Sequence, residues 1–287
     1  MDSLSPKIFV VILNFNGADT LLPCLASVFQ SDYLNFEVVV VDNDSKDESF
    51  EKAKLQYSRA HFIKNSENLG FAKGNNVAIR FALEKFADYI FVLNNDTVIE
   101  KTTLSKLIES TETNKLAGIV SPLIMGPSDR DVWFAGGKID WNKMRTSHLF
   151  EVQSPLPYPT QYIAGCAMLI KKEVFKKIGL FDERFFLYYE DADFSMRARN
   201  AGYELLIAPS AKIRHLEQSN SNNPAKIYWL VLSGCLFFNT HASFAWKLWL
   251  IPYLQLRKLK NFFNIIFSRN KNVAAVRQAY KDFKEIK

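Results

Sequence analysis

Lys7-Ile8-Phe9-Val10-Val11-Ile12-Leu13-Asn14-Phe15-Asn16-Gly17 runs through unbroken apolar residues and then stops at asparagines and a glycine. The run has no basic leader before it and no small-residue cleavage site after it, and it is too short for a signal peptide, so it predicts a buried strand. Apolar residues at successive positions, rather than alternate ones, fit a strand covered on both faces. The same form recurs along the chain. Phe36 to Val41 ends in Asp42-Asn43-Asp44-Ser45, Tyr89 to Leu93 ends in Asn94-Asn95-Asp96, and Ala60 to Lys64 reads as a further strand. Between them, Asp19 to Phe29, Lys46 to Tyr57 and Phe71 to Phe86 have helical spacing, with Leu21, Leu22, Leu25 and Val28 on one face of the first. This alternation predicts an α/β fold: a Rossmann-like, mostly parallel sheet with helices on both faces. Ligands of such sheets bind outside the carboxyl ends of the strands, so three polar strand ends outline a site.

From Ser121 to Pro159 the pattern loosens around Gly126-Pro127 and Gly136-Gly137, which predicts loops and short strands, a lid or acceptor region. Periodicity returns as a strand over Gln161–Ile170, a short helix over Lys172–Ile178 and a longer one over Glu190–Ala201. Two short strands, Glu204–Ala208 and Ala211–His215, follow. The expected organisation is a catalytic domain over 1–223, with a nucleotide-binding half (1–121) and an acceptor-binding half (122–223), and a helical tail over 224–287.

The formal charge of +6 sits in that tail: from His241 onward there are ten Lys or Arg against two acidic residues, +8, leaving −2 for the rest. The bases are interleaved with Tyr228, Trp229, Phe237, Phe238, Trp246, Trp249 and Tyr253, the composition of a helix lying in an anionic membrane interface. The same aromatics could instead pack on the catalytic domain or in a homodimer. Ile227 to Phe238 is apolar but interrupted by Ser233 and Gly234, which favours a peripheral over a spanning role. Cys24, Cys166 and Cys235 are far apart and odd in number, consistent with reduced thiols in a cytoplasmic setting.

The candidate chemistry lies at the strand ends. Asp42 could accept a hydrogen bond from a pyrimidine N–H, with Asn14, Asn16 and Asn95 beside it on the same edge. In Asn65 to Asn76, the amides of Asn68 and Asn75, the room left by Gly70 and the charge of Lys73 suit a ribose or diphosphate at a helix start. Asp96 offers one fixed carboxylate where phosphates would lie, enough for a hard divalent ion that also takes phosphate oxygens. His215 ends an apolar strand where the sheet meets a loop. In Phe185-Phe-Leu-Tyr-Tyr-Glu-Asp-Ala-Asp193 an aromatic run delivers Glu190 and Asp191 into the first turn of a helix; a partly dry pocket there raises carboxylate basicity and suits a general base. Asp193 is expected to cap the helix or to pair with Arg197 or Arg199.

Taken together in this order, the segments Val-Val-Ile-Leu-Asn-Phe-Asn-Gly, Val-Val-Val-Asp-Asn-Asp-Ser-Lys-Asp, Glu-Asn-Leu-Gly-Phe-Ala-Lys-Gly-Asn-Asn, Leu-Asn-Asn-Asp, Gly-Cys-Ala-Met-Leu-Ile and Tyr-Glu-Asp-Ala-Asp-Phe resemble family 2 glycosyltransferases of the GT-A fold, especially the bacterial rhamnosyltransferase-like branch. The resemblance runs from Lys7 to Ser219. It implies that Asp42 contacts the base, Asp96 is the last acid of an Asp-X-Asp-type metal motif, His215 completes the site for Mg2+ or Mn2+, and Asp191 is the catalytic base with Glu190 beside it. Asn94 stands where that motif has its first acid, and Lys73 where many relatives have glycine. The implied activity is an inverting transfer, with dTDP-rhamnose as the expected donor and UDP-hexoses as the runner-up. The expected acceptor is a hydroxyl of a lipid-linked saccharide, at the inner face of the plasma membrane, in cell-surface polysaccharide synthesis.

Two other classes fit less well. A nucleotidyltransferase would want a glycine-rich basic loop after the first strand, and Asn14-Phe-Asn-Gly17 has no lysine or arginine. A nucleic-acid-binding arm would not carry the tail's apolar load, so no nucleic-acid partner is expected.

Overall fold

The computed structural model describes residues 5–216, 223–267 and 271–286; Glu217 to Ser219, the loop expected after His215, lies outside them. The chain begins with β1 (Ile8–Asn14), α1 (Leu21–Phe29), β2 (Phe36–Asp42), α2 (Ser49–Gln56), β3 (His61–Lys64), α3 (Gly70–Glu84) and β4 (Tyr89–Asn94). It continues through β5 (Thr97–Ile99), α4 (Thr103–Glu112), β6 (Ala117–Met125), β7 (Val132–Phe134), β8 (Gly137–Asp140), β9 (Arg145–His148) and β10 (Tyr158–Pro159). Then come β11 (Ala167–Lys171), α5 (Lys172–Ile178), α6 (Glu190–Asn200) and β12 (Glu204–His215), followed by α7 (Pro224–His241), α8 (Phe244–Phe267) and α9 (Lys271–Ile286).

Ten of the strands form one sheet in the order β10-β12-β6-β11-β4-β1-β2-β3, with β5 on β12 and β7 on β6. β1, β2, β3 and β4 are mutually parallel, whereas β11 enters antiparallel between β4 and β6. The continuous apolar runs follow from the layering. Ile8, Val10 and Ile12 face a core with Leu21, Leu25 and Val28 of α1, while Phe9 and Val11 face another with Ala78, Ile79 and Ala82 of α3. All five β1 side chains are fully buried, and each such burial contributes roughly 1.5–3 kcal/mol.

Three elements differ from expectation. β6 is a buried central strand although Gly118, Ser121 and Pro122 break its apolar pattern. Pro122 cannot donate a ladder bond, and it is accommodated because it pairs with Ala208 where β12 shifts register. That irregularity also joins the two short strands expected over 204–215 into one. Residues 161–166 are not the start of a strand; they swing out to the active site, and the strand begins at Ala167.

The tail docks on the catalytic domain. Phe237 and Phe238 are buried, Trp229 stacks on Phe186 at 4.4 Å between ring centroids, and Trp246 stacks on Trp141 at 6.0 Å. Most of the aromatics read as membrane anchors therefore fill the seam between tail and domain. A row of apolar residues on α8, including Phe244, Leu248, Ile251, Leu256 and Leu259, remains exposed. Among the described residues no helix is long and apolar enough to cross a membrane.

Candidate active site

Asp96 and His215 meet because β5 pairs antiparallel with β12. His215 lies opposite Thr97, and Leu216 N–H donates to Asp96 O at 2.8 Å. His215 Nε2 stands 3.2 Å from Asp96 Oδ1, close enough for an ion pair but misaligned for a hydrogen bond. Asp96 Oδ1 and both His215 ring nitrogens are buried, and among the described residues they have no hydrogen-bond partner. Orphaned polar atoms of this kind are costly unless something else satisfies them. One carboxylate oxygen beside one imidazole nitrogen is a donor pair that fits Mn2+ or Mg2+, the remaining positions going to phosphate oxygens and water. No cluster of three or more His, Cys, Asp or Glu suited to an ion occurs among the described residues, so the pair would need those outside oxygens.

Asp96 and His215 line a cavity of about 540 Å³ that Glu190 and Asp191 also line. The turn leading to these acids is strained: Tyr188 and Tyr189 adopt φ of 67° and 66°, each costing about 1–2 kcal/mol in the left-handed region. α7 holds the turn in place. Ser233 Oγ donates to Leu187 O at 2.8 Å, and the Tyr189 ring fits over Gly234, 3.2 Å from where a β-carbon would stand. Asp191 then accepts N–H bonds from Gly165 (2.9 Å) and Ala192 (2.7 Å).

Burial raises the pKa of both acids above the ordinary carboxylate range. Glu190 is pushed well up by burial and then by the charge of Asp191, and its Oε2 has no partner among the described residues. Asp191 is also raised by burial, but the Gly165 and Ala192 amides act against the rise. Asp191 therefore ionises first and Glu190 keeps its proton longer. The pair combines two carboxyls of heightened basicity, of which Asp191 has the amide donors that favour its charged form.

The donor-site candidates stand along the carboxyl ends of β1, β2 and β4 and at the start of α3, and none of them lines this cavity. Asn14 is a buried hub: its Nδ2 reaches Asp42, Ser45 and Ser49, and its Oδ1 accepts from Asn95 Nδ2 at 2.8 Å. Asp42 is fully buried, with Oδ1 taken by Asn14 and Ser45 Oγ and Oδ2 by the Ser45 N–H. Asp42, expected to accept a hydrogen bond from a pyrimidine N–H, has both oxygens engaged within the fold, Oδ2 by the Ser45 N–H. Of Asp42, Asp96, Asp191 and His215, the structure gathers the last three around one hollow.

Asn16 is exposed, and its Oδ1 accepts the Lys46 N–H at 2.8 Å. Asn68 caps Gly70 N–H at 2.9 Å and accepts from Asn43 at 3.0 Å. The space at Gly70, expected to admit a ligand, admits the backbone of Phe186: φ is +75° and a β-carbon would collide with Phe186 O. Phe71 N–H donates to that same oxygen at 2.7 Å, which ties α3 to the turn before Glu190. Lys73 is exposed on α3, and Asn75 is buried with its Nδ2 on Phe71 O. Asp193 pairs with Arg197 at 2.8 Å, one of its two expected partners, and also with His241 of α7 at 2.7 Å.

Trp133, Tyr162 and His148 also line the cavity and carry no sequence signal that would have singled them out. Trp133 packs edge-on against His215 at 4.5 Å, which fixes the imidazole plane.

A half-parallel, half-mixed sheet, with a carboxylate–imidazole pair and Asp191 lining one cavity, defines a glycosyltransferase of the GT-A class. The chain belongs to glycosyl transferase family 2, whose profile matches residues 9–179. A second profile, described as the N-terminal domain of galactosyltransferase, matches residues 145–219. The chain is 29% identical over 213 residues to the dTDP-rhamnosyl transferase RfbF of Shigella flexneri, covering 74% of this chain and 70% of that one. It is 25% identical over 241 residues to an N-acetylglucosaminyl-diphospho-decaprenol L-rhamnosyltransferase of Mycobacterium tuberculosis, covering 75% and 78%. Among solved structures, GalNAc-T7 with UDP, GalNAc and Mn2+ superposes with a TM-score of 0.66 at 20% identity over 79% of this chain; the chain spans about half of that protein's length, 47%.

Proposed function

We propose that this glycosyltransferase moves L-rhamnose from dTDP-rhamnose, with inversion, onto a hydroxyl of a lipid-linked saccharide at the cytoplasmic face of the membrane. The observation that carries the reading is that Asp191 lines the same cavity as Asp96 and His215, so that one hollow offers both a base and a site for the diphosphate. The rhamnosyl assignment and the lipid-linked acceptor are supported by the names of the two similar transferases.

Residues 1–121 take the donor and residues 122–223 the acceptor. Asn16, Asn68, Lys73 and Asn95 contact the nucleotide sugar, while Asn14 and Asp42 brace the strand ends, Gly70 lets α3 approach the Phe186 turn, and Asn75 steadies α3. Asp96 and His215 hold Mg2+ or Mn2+, whose contribution when bound is to neutralise charge growing on the leaving diphosphate. Asp191 takes the proton of the acceptor hydroxyl as that oxygen bonds to the anomeric carbon. The bond from that carbon to the diphosphate breaks on the opposite face, so the configuration inverts. Glu190, still protonated, leaves Asp191 as the single negative charge beside the acceptor. The exposed apolar row of α8, with Lys247, rests on an anionic bilayer.

A thermal-shift comparison of dTDP-rhamnose, UDP-glucose, UDP-galactose and UDP-N-acetylglucosamine, each with and without Mn2+, tests the donor. The largest shift is expected for dTDP-rhamnose with Mn2+; a larger shift with a UDP-hexose replaces it by the alternative donor class.

A further inference from the structure

α8 is fastened across the turn between β8 and β9 at two points: Trp249 Nε1 donates to Asn142 O at 3.1 Å, and Tyr253 OH donates to Lys143 O at 2.8 Å. These bonds set Lys143 and Arg145 of the hairpin against Arg257 and Lys260, which follow Tyr253 on the same helix face. The four bases, with Tyr253 and Leu256, line an open pocket of about 490 Å³. None of the four forms an ion pair with a carboxylate among the described residues. Four cations from distant parts of the chain, gathered without counter-charge, make a site for an anion, and two guanidinium groups suit the oxygens of a phosphate.

The pocket adjoins the active site. Arg145 opens β9, whose Thr146 and His148 line the cavity of Asp191. A narrower cleft of about 250 Å³ lies between, with Arg145 and Arg257 in its wall along with Thr146, Tyr189 and Leu230, which also line the catalytic cavity. At roughly 3.3 Å per strand residue, Arg145 to His148 spans roughly 10 Å, about the reach of a short saccharide and the phosphate on its anomeric oxygen. On the far side Leu256 and Leu259 continue the apolar surface of α8.

We infer that Lys143, Arg145, Arg257 and Lys260 bind the phosphate or diphosphate that joins the acceptor saccharide to its lipid, so that catalytic domain and tail together hold the acceptor. The inference rests on the reading that the acceptor is lipid-linked. It makes the tail part of the substrate site, with the sugar at Asp191, the phosphate between hairpin and α8, and the lipid along the exposed apolar row.

Geranyl diphosphate is the probe, titrated calorimetrically into the full chain in EDTA so that no divalent ion draws it to Asp96 and His215. Arg145→Gln/Arg257→Gln is expected to weaken binding about tenfold or more, the loss of one or two charge-assisted contacts. Lys143→Gln/Lys260→Gln, at two exposed positions, is expected to act in the same direction and guards against misfolding of the first variant. Cosedimentation with phosphatidylcholine vesicles containing phosphatidylglycerol is expected to change far less. Unchanged affinity for geranyl diphosphate in both double variants overturns the inference, as does a loss confined to phosphatidylglycerol vesicles, which makes the cluster a headgroup patch. Neither arm contains a nucleotide sugar, so failure of the donor assignment leaves this test standing.

Discussion

His215 Nε2 lies 3.2 Å from Asp96 Oδ1, neither atom hydrogen-bonded among the described residues, and the pairing of β12 with β5 holds them there. Two buried polar atoms kept this close without satisfying each other are preorganised for a third party. Asp96→Ala is expected to weaken Mn2+-dependent binding of dTDP-rhamnose by about tenfold to a hundredfold while leaving any metal-free nucleotide binding unchanged. Calorimetric titrations with and without Mn2+ check this, and equal values for variant and parent exclude the metal assignment.

Asp191 is placed for chemistry, and its hydrogen bonds are to the Gly165 and Ala192 amides rather than to donor-side residues. Asp191→Asn keeps an acceptor for one of the Gly165 and Ala192 amides, which bond to different oxygens of Asp191, and removes the base. Turnover is expected to fall by about 10²- to 10⁴-fold, the usual contribution of a positioned base, while donor affinity stays within about twofold. A rate assay paired with donor titration reads both; undiminished turnover refutes the base assignment.

The raised acids also give a pH signature. Glu190 and Asp191 titrate higher in the folded chain than the ordinary carboxyls of the unfolded chain, so between those values the folded state binds more protons. Their contribution to stability is therefore fully present below the ordinary carboxylate range and is lost as pH rises towards their folded values. Turnover moves the other way, rising with pH as Asp191 ionises. Glu190→Gln is expected to flatten the fall in Tm as pH rises above the ordinary carboxylate range and to leave the pH midpoint of the Asp191-dependent rate nearly unchanged, because Glu190 is still neutral when Asp191 ionises. A Tm profile as steep as that of the parent contradicts the assignment.

What the sequence makes legible is local. β1, β2 and β4 show as unbroken apolar runs because helices cover both faces of the sheet, and the acids of α6 show because an aromatic run precedes them. β6 is hidden because Pro122 is tolerated only by a register shift in β12, an accommodation between segments far apart in the chain. Asp42 reads as a free ligand because the sequence does not show that Asn14 and Ser45 occupy its oxygens. Similarly, Gly70 reads as room for a phosphate until Phe186 is seen filling the space. The aromatics of the tail fit an interface and a core equally well by composition, and only the stacking of Trp229 on Phe186 and of Trp246 on Trp141 separates the two uses.

The apolar row left exposed on α8 makes the membrane reading testable apart from catalysis. Leu248→Glu/Ile251→Glu places two charges on side chains that are 61% and 63% exposed, so the fold is expected to stand. Cosedimentation with vesicles of phosphatidylcholine and phosphatidylglycerol should drop by about tenfold, in line with losing two buried apolar side chains and adding two like charges facing an anionic surface. Unchanged vesicle binding, together with concentration-dependent dimerisation lost in the variant, would assign the row to a second copy of the chain.

His241 ties the tail to the catalytic helix. Its Nε2 meets Asp193 Oδ1 at 2.7 Å, two residues from the base, while Arg197 holds Oδ2 of the same buried carboxylate. His241→Ala leaves one oxygen of Asp193 buried without its partner, a loss of about 1–3 kcal/mol. Because α7 also supports Leu187 and Tyr189 through Ser233 and Gly234, loosening it should relax the strained turn that aims Asp191. The expected result is a lower Tm together with a reduced kcat and a smaller change in donor Kd, since α7 holds the turn before Glu190 directly and reaches α3 through Phe186. His241→Gln, which can still donate to Asp193, should recover much of both losses. A variant that loses stability but keeps full kcat would show that the tail only stabilises the domain and does not position its base.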